Sequence, residues 1–238
     1  MLVEKSVKKE SWLHFCVSSV GGFMGAYAII NHCDLLASSQ TANMIHIVHN
    51  LFESEHPLLI YMILAAVVYG CGNVAYVLLK KFVKTDTRII SLFLTATAFV
   101  LVSVLNFVEN PYLAMLPLFF ITPIQWNAFA GDAGYGSSTI FSTNNYRQAI
   151  TALTSYLIDG DIKMKRKAQF FGMTLLFFHI GVVLASVTAI FWARESIWWG
   201  FLPLAVSAVC CMWYKDSKIF STGKKYGKKF IKSLKAAS

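Results

Sequence analysis

The chain carries the polar stretch Ser38-Ser39-Gln40-Thr41-Ala42-Asn43 and, later, a second one, Ile140-Phe141-Ser142-Thr143-Asn144-Asn145. The first runs into Met44-Ile45-His46-Ile47-Val48 and the second into Tyr146-Arg147-Gln148-Ala149-Ile150. Each follows a hydrophobic segment and places Thr-x-Asn at the start of a stretch that can form a helix. Because duplicated, interrupted segments in the two halves of a membrane transporter mark its substrate site, the two stretches predict such a site.

The composition around these stretches is that of a membrane protein. Of 238 residues, 56% are hydrophobic and 14% are charged, whereas a soluble domain has about 25% charged residues. We therefore expect a single integral membrane domain over residues 1–238, with the lipid bilayer as a partner. The net charge of +9 does not indicate a nucleic-acid partner, because the basic residues lie beside apolar segments, where they orient the chain and contact lipid headgroups.

Six apolar runs approach the length that crosses a bilayer. They are Trp12–Asn31, Leu58–Leu79, Ile89–Phe107, Tyr112–Ala130, Ala168–Trp192 and Ile197–Tyr214. With six crossings, all lysine-rich clusters fall on one side, and the other side carries Arg194 as its basic residue. The clusters lie at 5–9, 80–88, 163–167 and from 215 onward. This bias predicts a multi-pass protein of the plasma membrane with both termini in the cytoplasm.

Two connections, about 32–57 and 131–162, are long and contain the polar stretches. A full crossing by each would move lysine clusters to the wrong face, so we expect both to be re-entrant. Each would have a short non-helical entry followed by a half-helix that begins within the membrane's depth, where irregular backbone requires burial in protein or a wet cavity. The predicted fold is all-α, with two inverted three-helix repeats, about 12–108 and 111–214, and a basic C-terminal tail, 215–238.

Two half-helix N-termini that face each other would attract an anion, because each carries free N–H groups and a partial positive charge. We expect the side chains of Thr41, Asn43, Thr143 and Asn145 to cap these ends and to yield them to a ligand. Arg147 lies one turn into the second half-helix, either as a counter-ion for the ligand or as an interfacial arginine. A neutral polar solute fits the same geometry through hydrogen bonds.

These motifs resemble those of the YoaK family of bacterial membrane proteins, which is defined by a domain of unknown function. The family's glycine-rich first helix, its Gln-Thr-Gly-Asn motif, its Gln-Asn-like pair in the fourth span and its Thr-rich segment correspond to Gly21–Tyr27, Gln40–Asn43, Gln125 with Asn127, and Ser142–Asn145. The resemblance adds Gln40, Gln125 and Asn127 to the expected substrate-binding residues. It implies six spans and an inner-membrane location, and no established activity. Gly25 and Ala42 depart from the family pattern, which has an acidic residue and a glycine there.

Other features leave alternatives open. His46, His49 and Glu53 share a face of the first half-helix and fit a metal or proton site, as in a membrane-embedded enzyme, although such clusters are usually solvated. Gly21 and Gly25 form a GxxxG stripe that suits either packing against the other repeat or a homodimer. No GxSxG, HExxH or phosphate-binding glycine loop occurs, and we expect no catalytic residues and no cofactor. The leading hypothesis is a small secondary transporter or channel for a small polar or anionic solute; the alternatives are the enzyme and a non-catalytic scaffold.

Overall fold

A computed structural model of the chain describes residues 2–32, 40–52, 59–108, 110–130 and 134–215. The described residues form helices joined by short links and contain no strand. We number the helices α1 (Leu2–Asn31), α2 (Gln40–Asn50), α3 (Leu59–Phe82), α4 (Thr87–Leu105), α5 (Pro111–Phe129), α6 (Thr143–Asp159) and α7 (Ile162–Trp192). A 3₁₀ segment, Ala193–Gly200, then leads into a last helix over residues 201–215, α8. The all-α prediction is therefore confirmed.

Local polar residues determine where several helices begin and end. Asp86, Asn110 and Asp161 are N-caps whose carboxylate or carboxamide oxygens accept hydrogen bonds from backbone N–H groups in the first turns of α4, α5 and α7. These bonds satisfy donors that a helix N-terminus otherwise leaves open. Gly160 ends α6 with a φ of 68°, which glycine adopts without strain. The turn after it starts α7 at once, so α6 and α7 form a helical hairpin.

Four stretches are long and apolar enough to cross a membrane: Lys9–Asn31, Leu59–Phe82, Thr87–Leu105 and the continuous stretch Ile162–Lys215. They indicate a membrane protein. The last stretch contains both α7 and α8, and it reverses direction at the 3₁₀ segment, where Ala193 has a positive φ of 43°. Helix α5, with 19 residues and two internal prolines, has membrane-spanning length but is not among these four stretches.

The helices run in two opposite directions. The side chains of Glu10 and Tyr27 on α1 contact Arg88 at the start of α4 and Asn106 directly after its end, which makes these two helices parallel. Glu10 also accepts a hydrogen bond from Tyr214 near the end of α8, so α8 is antiparallel to α1. The same comparison of contacting residues places α7 parallel to α1 and α3 parallel to α5. Helices α4 and α5 follow each other after a short link and pack on each other, which makes them antiparallel. In chain order, the long helices α1, α3, α4, α5, α7 and α8 therefore alternate in direction.

Helix α1 lies at the centre of the bundle, and most of its side chains from Leu13 to Ala28 are buried. It packs most extensively on α7, while α3 packs on α5. Close glycine contacts explain both pairings. A Cβ at Gly181 of α7 would overlap the backbone oxygen of Ser19 on α1, and a Cβ at Gly72 of α3 would overlap that of Phe120 on α5. The side chains of α3, α7 and α8 that face outward are largely apolar, as suits contact with lipid.

Candidate functional site

The segment between α5 and α6 enters the bundle as irregular, buried backbone. Ser137, Ser138, Thr139 and Ile140 are each at most 5% exposed. The hydroxyl of Ser137 lies 2.9 Å from Nε2 of His14, and the backbone of Thr139 fits against Gly21, where a Cβ would overlap its carbonyl oxygen. His14 and Gly21 are separated by about 10 Å along α1. The segment therefore follows α1 over this distance and reaches the middle of the helix before α6 begins.

Asn145 holds this segment in place. Its side-chain oxygen accepts hydrogen bonds from the hydroxyl of Ser137 at 2.9 Å and the backbone N–H of Ser138 at 3.3 Å. Its side-chain nitrogen donates to the backbone oxygens of Ser138 at 2.7 Å and Phe141 at 3.0 Å. With a fully buried side chain, Asn145 therefore uses its whole hydrogen-bonding capacity on the segment that precedes α6.

The expectation that Asn145 caps α6 is wrong. The N-cap residue of α6 is Ser142, and its side chain makes no capping hydrogen bond. Thr143 and Arg147 are exposed, and the guanidinium of Arg147 donates to the side-chain oxygen of Asn144 at 3.1 Å. The cause is the irregular segment itself, whose buried backbone groups compete for the Asn145 carboxamide more effectively than the N–H groups of the helix end.

Gln125 on α5 meets the same face of α1. Its side-chain nitrogen lies 3.4 Å from the backbone oxygen of Val17, which can only accept, so the nitrogen is the donor and the side-chain oxygen points elsewhere. Within the described residues, that oxygen and the hydroxyl of Thr139 are buried without a hydrogen-bond partner. Val17 and Gly21 are one helical turn apart, so Gln125 and Thr139 approach adjacent positions of α1. The contact between the rings of Trp126 and Phe141, 4.9 Å apart, joins α5 to the same segment.

The two Thr-x-Asn motifs have the same pattern of burial. Thr41 and Thr143 are exposed, while Asn43 is 2% and Asn145 0% exposed. Both motifs stand at the start of a helix, as predicted: α2 begins at Gln40 and α6 at Thr143. The chain before Gln40 lies outside the described residues, so the structure describes what the second asparagine holds and not what precedes the first.

The other predicted site residues have separate surroundings. Both polar side-chain atoms of Gln40 are buried, with no hydrogen-bond partner among the described residues. Asn127 donates to the side-chain oxygen of Asn73 on α3 at 3.1 Å and to its own helix at Pro123. The structure thus brings Gln125 and Asn145 to the irregular segment and pairs Asn127 with α3. Among the described residues, α2 packs on α3, whereas α6 packs on α7.

A second polar cluster, at the end of the bundle where α1 and α4 finish, was not predicted from the sequence. The Tyr27 hydroxyl donates to the backbone oxygen of Arg194 at 2.8 Å, and the Asn106 side chain donates to the same oxygen at 3.0 Å. Nε2 of His32 lies 3.3 Å from the Tyr27 hydroxyl. Burial, and to a smaller extent the positive charge of Arg194, lower the pKa of His32 from its usual 6.5 to about 4. His32 is therefore neutral at physiological pH.

At the opposite end of the bundle, an ion pair and a cation–π contact join the helices. Oε1 of Glu10 lies 3.0 Å from the guanidinium of Arg88 and accepts a hydrogen bond of 3.0 Å from the Tyr214 hydroxyl. The ammonium of Lys9 lies over the ring of Trp213, 4.2 Å from its centre. These contacts connect α1, α4 and α8 on the side where the basic residues gather.

Comparison with known proteins places this architecture in a family. A model of the family described as "Protein of unknown function (DUF1275)" matches residues 13–211. The chain belongs to the DUF1275 family. This is the YoaK family, so the resemblance seen in the sequence is confirmed. The DUF1275 match includes both Thr-x-Asn motifs, Gln125 and the buried segment. No curated protein and no solved structure matches the chain.

The part of this DUF1275 protein that the structure describes shows no metal site of the kind suggested for His46, His49 and Glu53. His46 and His49 are exposed on α2, and Glu53 lies outside the described residues, as does the basic tail from residue 216. Within the described ranges, no group of three or more His, Cys, Asp or Glu side chains is placed to hold a metal ion. The backbone of Thr139 fills the space beside Gly21, so at this position the glycine stripe contributes to packing within the chain.

Proposed function

We propose that the protein is a small secondary transporter or channel of the plasma membrane, with six spans in two inverted repeats and both termini in the cytoplasm. Its cargo is a small polar or anionic solute. The solute binds near the middle of the bilayer, between the two half-helix N-termini and beside the place where the segment before α6 contacts the central helix α1. The observation that carries this proposal is the irregular segment, of which residues 137–140 lie buried beside the middle of α1.

The alternating directions of the six long helices support the six spans. Alternation is what six successive crossings require, and the α2 and α6 regions then return to the side from which they enter. The cluster around Glu10 and Arg88 lies at the basic, cytoplasmic end. Arg194 lies at the opposite end, beside Tyr27. This arrangement agrees with the distribution of lysines, which places basic residues inside.

The pattern of helix packing supports the inverted repeat. If α1, α2, α3 and α4 correspond to α5, α6, α7 and α8, the α1–α7 pair corresponds to α5–α3, and α2–α3 corresponds to α6–α7; each of these pairs is in contact. The α4–α5 pair then corresponds to α8–α1, which meet at Cys210 and Cys16. The glycine contacts of Gly181 and Gly72 correspond as well. In transporters built from such repeats, the substrate site lies near the midplane at their interface.

The polar groups at the segment support a polar solute. An unmade hydrogen bond at a buried group costs about 1–3 kcal/mol, and both the Gln125 oxygen and the Thr139 hydroxyl lack a partner among the described residues. A solute with hydrogen-bonding groups would supply those partners. The start of α6 adds backbone N–H groups without a side-chain cap, which favours an anionic group on the solute.

Solute flux into proteoliposomes tests the proposal without a known substrate. We would measure light scattering after osmotic shock with urea and glycerol as neutral probes, and with formate and nitrate as anionic probes. We expect flux of at least one probe above that of protein-free vesicles. Thr139→Val, which removes the buried hydroxyl, should lower that flux about tenfold, equal to ~1.4 kcal/mol.

Thr97→Val is the matched control, because Thr97 carries an exposed hydroxyl on α4 that bonds its own helix. It should leave the flux unchanged. Flux equal to that of empty vesicles for every probe would reject transport of these solutes, and equal flux through both threonine variants would reject the site at Thr139.

A further inference from the structure

Two cysteine thiols face each other between the first and last helices. Sγ of Cys16 on α1 lies 3.5 Å from Sγ of Cys210 on α8. Both cysteines are free thiols, and Cys16 is 4% exposed, while Cys210 is partly exposed. A disulfide needs sulfurs about 2.04 Å apart, so an approach of about 1.5 Å would join them. Cys211 is the next residue on α8, yet it faces α4 rather than Cys16.

An apolar cavity reaches Cys16 from the outer surface of the bundle. Its volume is about 190 Å³, and α1, α7 and α8 line it with Cys16, Ser19, Phe177, Gly181, Leu184 and Val206. A dry cavity of about 150 Å³ accepts a benzene ring, so this one has room for a ring of that size. The surrounding apolar surface suits lipid, which makes the route to Cys16 one for a lipid-soluble molecule rather than for a charged reagent from water.

We propose that Cys16 and Cys210 form an oxidisable dithiol that a lipid-soluble quinone converts to a disulfide. The two S–H bonds break and one S–S bond forms. The thiols lose two electrons and two protons, and the quinone takes up both pairs to become the quinol. The disulfide links the central helix α1 covalently to its antiparallel neighbour α8. A dithiol reductant reverses the step by thiol–disulfide exchange.

The test uses the full chain in lipid nanodiscs with Cys33, Cys71 and Cys211 replaced by alanine, so that the proposed pair contains the only thiols. We would add decylubiquinone, count free thiols with a maleimide after denaturation, and measure intact mass. We expect loss of both thiols and of two hydrogen atoms, reversal by dithiothreitol, and a higher melting temperature of the oxidised form. The single variants Cys16→Ser and Cys210→Ser in the same background should form no intramolecular disulfide.

Two comparisons make the proposal refutable. Oxidised glutathione, which is charged and water-soluble, should oxidise the pair at least tenfold more slowly than the quinone; equal rates would overturn the lipid route. Copper phenanthroline is a strong general catalyst of thiol oxidation, and failure of this reagent to form the disulfide in folded protein would overturn the pair itself. The matched control is a variant that keeps Cys16 and Cys211 and has Cys210 replaced by alanine. Its two thiols should stay reduced with the quinone.

Discussion

Asn145→Leu tests whether one buried side chain holds the irregular segment in the bundle. Leucine has a similar size and can fill the same space, but it removes four hydrogen bonds. The hydroxyl of Ser137 keeps its contact with Nε2 of His14, 2.9 Å away. The backbone N–H and C=O of Ser138 have no such freedom, because residues 137–140 are buried on all sides.

The magnitude follows from those two backbone groups. Each buried group without a partner costs about 1–3 kcal/mol, which gives about 2–6 kcal/mol for the pair. Partial relaxation of the segment puts the expected loss near the lower end, at about 2–3 kcal/mol. For a chain of this size, 1 kcal/mol corresponds to about 2–4 °C in melting temperature, so we expect a decrease of roughly 4–12 °C.

The assay is thermal denaturation of purified protein in detergent, followed by size-exclusion chromatography of the fraction that stays folded. Asn144→Leu is the matched control. Asn144 is the preceding residue, and its side chain bonds Gly136 and Arg147 at the exposed surface, so its loss should lower the melting temperature by less than about 2 °C. Equal melting temperatures for the two variants would refute the role given to Asn145.

Three further predictions follow from the ends and the centre of the bundle. The pKa of His32 falls from 6.5 to about 4 on folding, so between these pH values the unfolded chain binds more protons than the folded protein. The folded state should therefore be most stable above pH 6.5 and lose stability as the pH falls towards 4. Melting temperatures measured across that range should show a weaker decline for His32→Gln. Gly181→Ala should destabilise the protein by about 1–3 kcal/mol because its Cβ enters the backbone of α1, whereas Gly172→Ala, on the same helix with open space around it, should be neutral in the same melting assay. Single cysteines introduced at Arg194 and at Lys84 should be labelled by an impermeant maleimide in intact cells only at Arg194; labelling at Lys84 would contradict the cytoplasmic position of the basic residues.

Periodic and compositional signals predicted the features that depend on local sequence. The apolar runs located the long helices, and the Thr-x-Asn motifs marked the starts of α2 and α6. The run Trp12–Asn31 ends where α1 ends, but α1 begins at Leu2, because the charged residues before Trp12 are compatible with a helix that extends beyond the apolar region. The predicted span Ile197–Tyr214 overlaps α8, although its first residues belong to the 3₁₀ segment.

The partners of the polar side chains depend on contacts distant in sequence. His14 meets Ser137, and Tyr27 meets Asn106 and Arg194, and no local pattern around any of these residues indicates the pairing. Asn145 was predicted as a site residue from its motif, yet the motif does not show that its carboxamide turns back to Ser138. Such choices are made by competition among buried groups, which exists only once the helices are packed.

The central position of α1 has a consequence for how the protein is made. Helix α1 is synthesised before α7, α8 and residues 137–140, which cover its sides in the folded protein. Until they arrive, His14 and the small-residue face at Gly21 and Gly22 stand open to lipid or to another membrane partner. In the nascent chain, the polar and small-residue faces of α1 therefore stay uncovered until α7 and α8 have been synthesised. Truncation before α7 should leave a product prone to degradation.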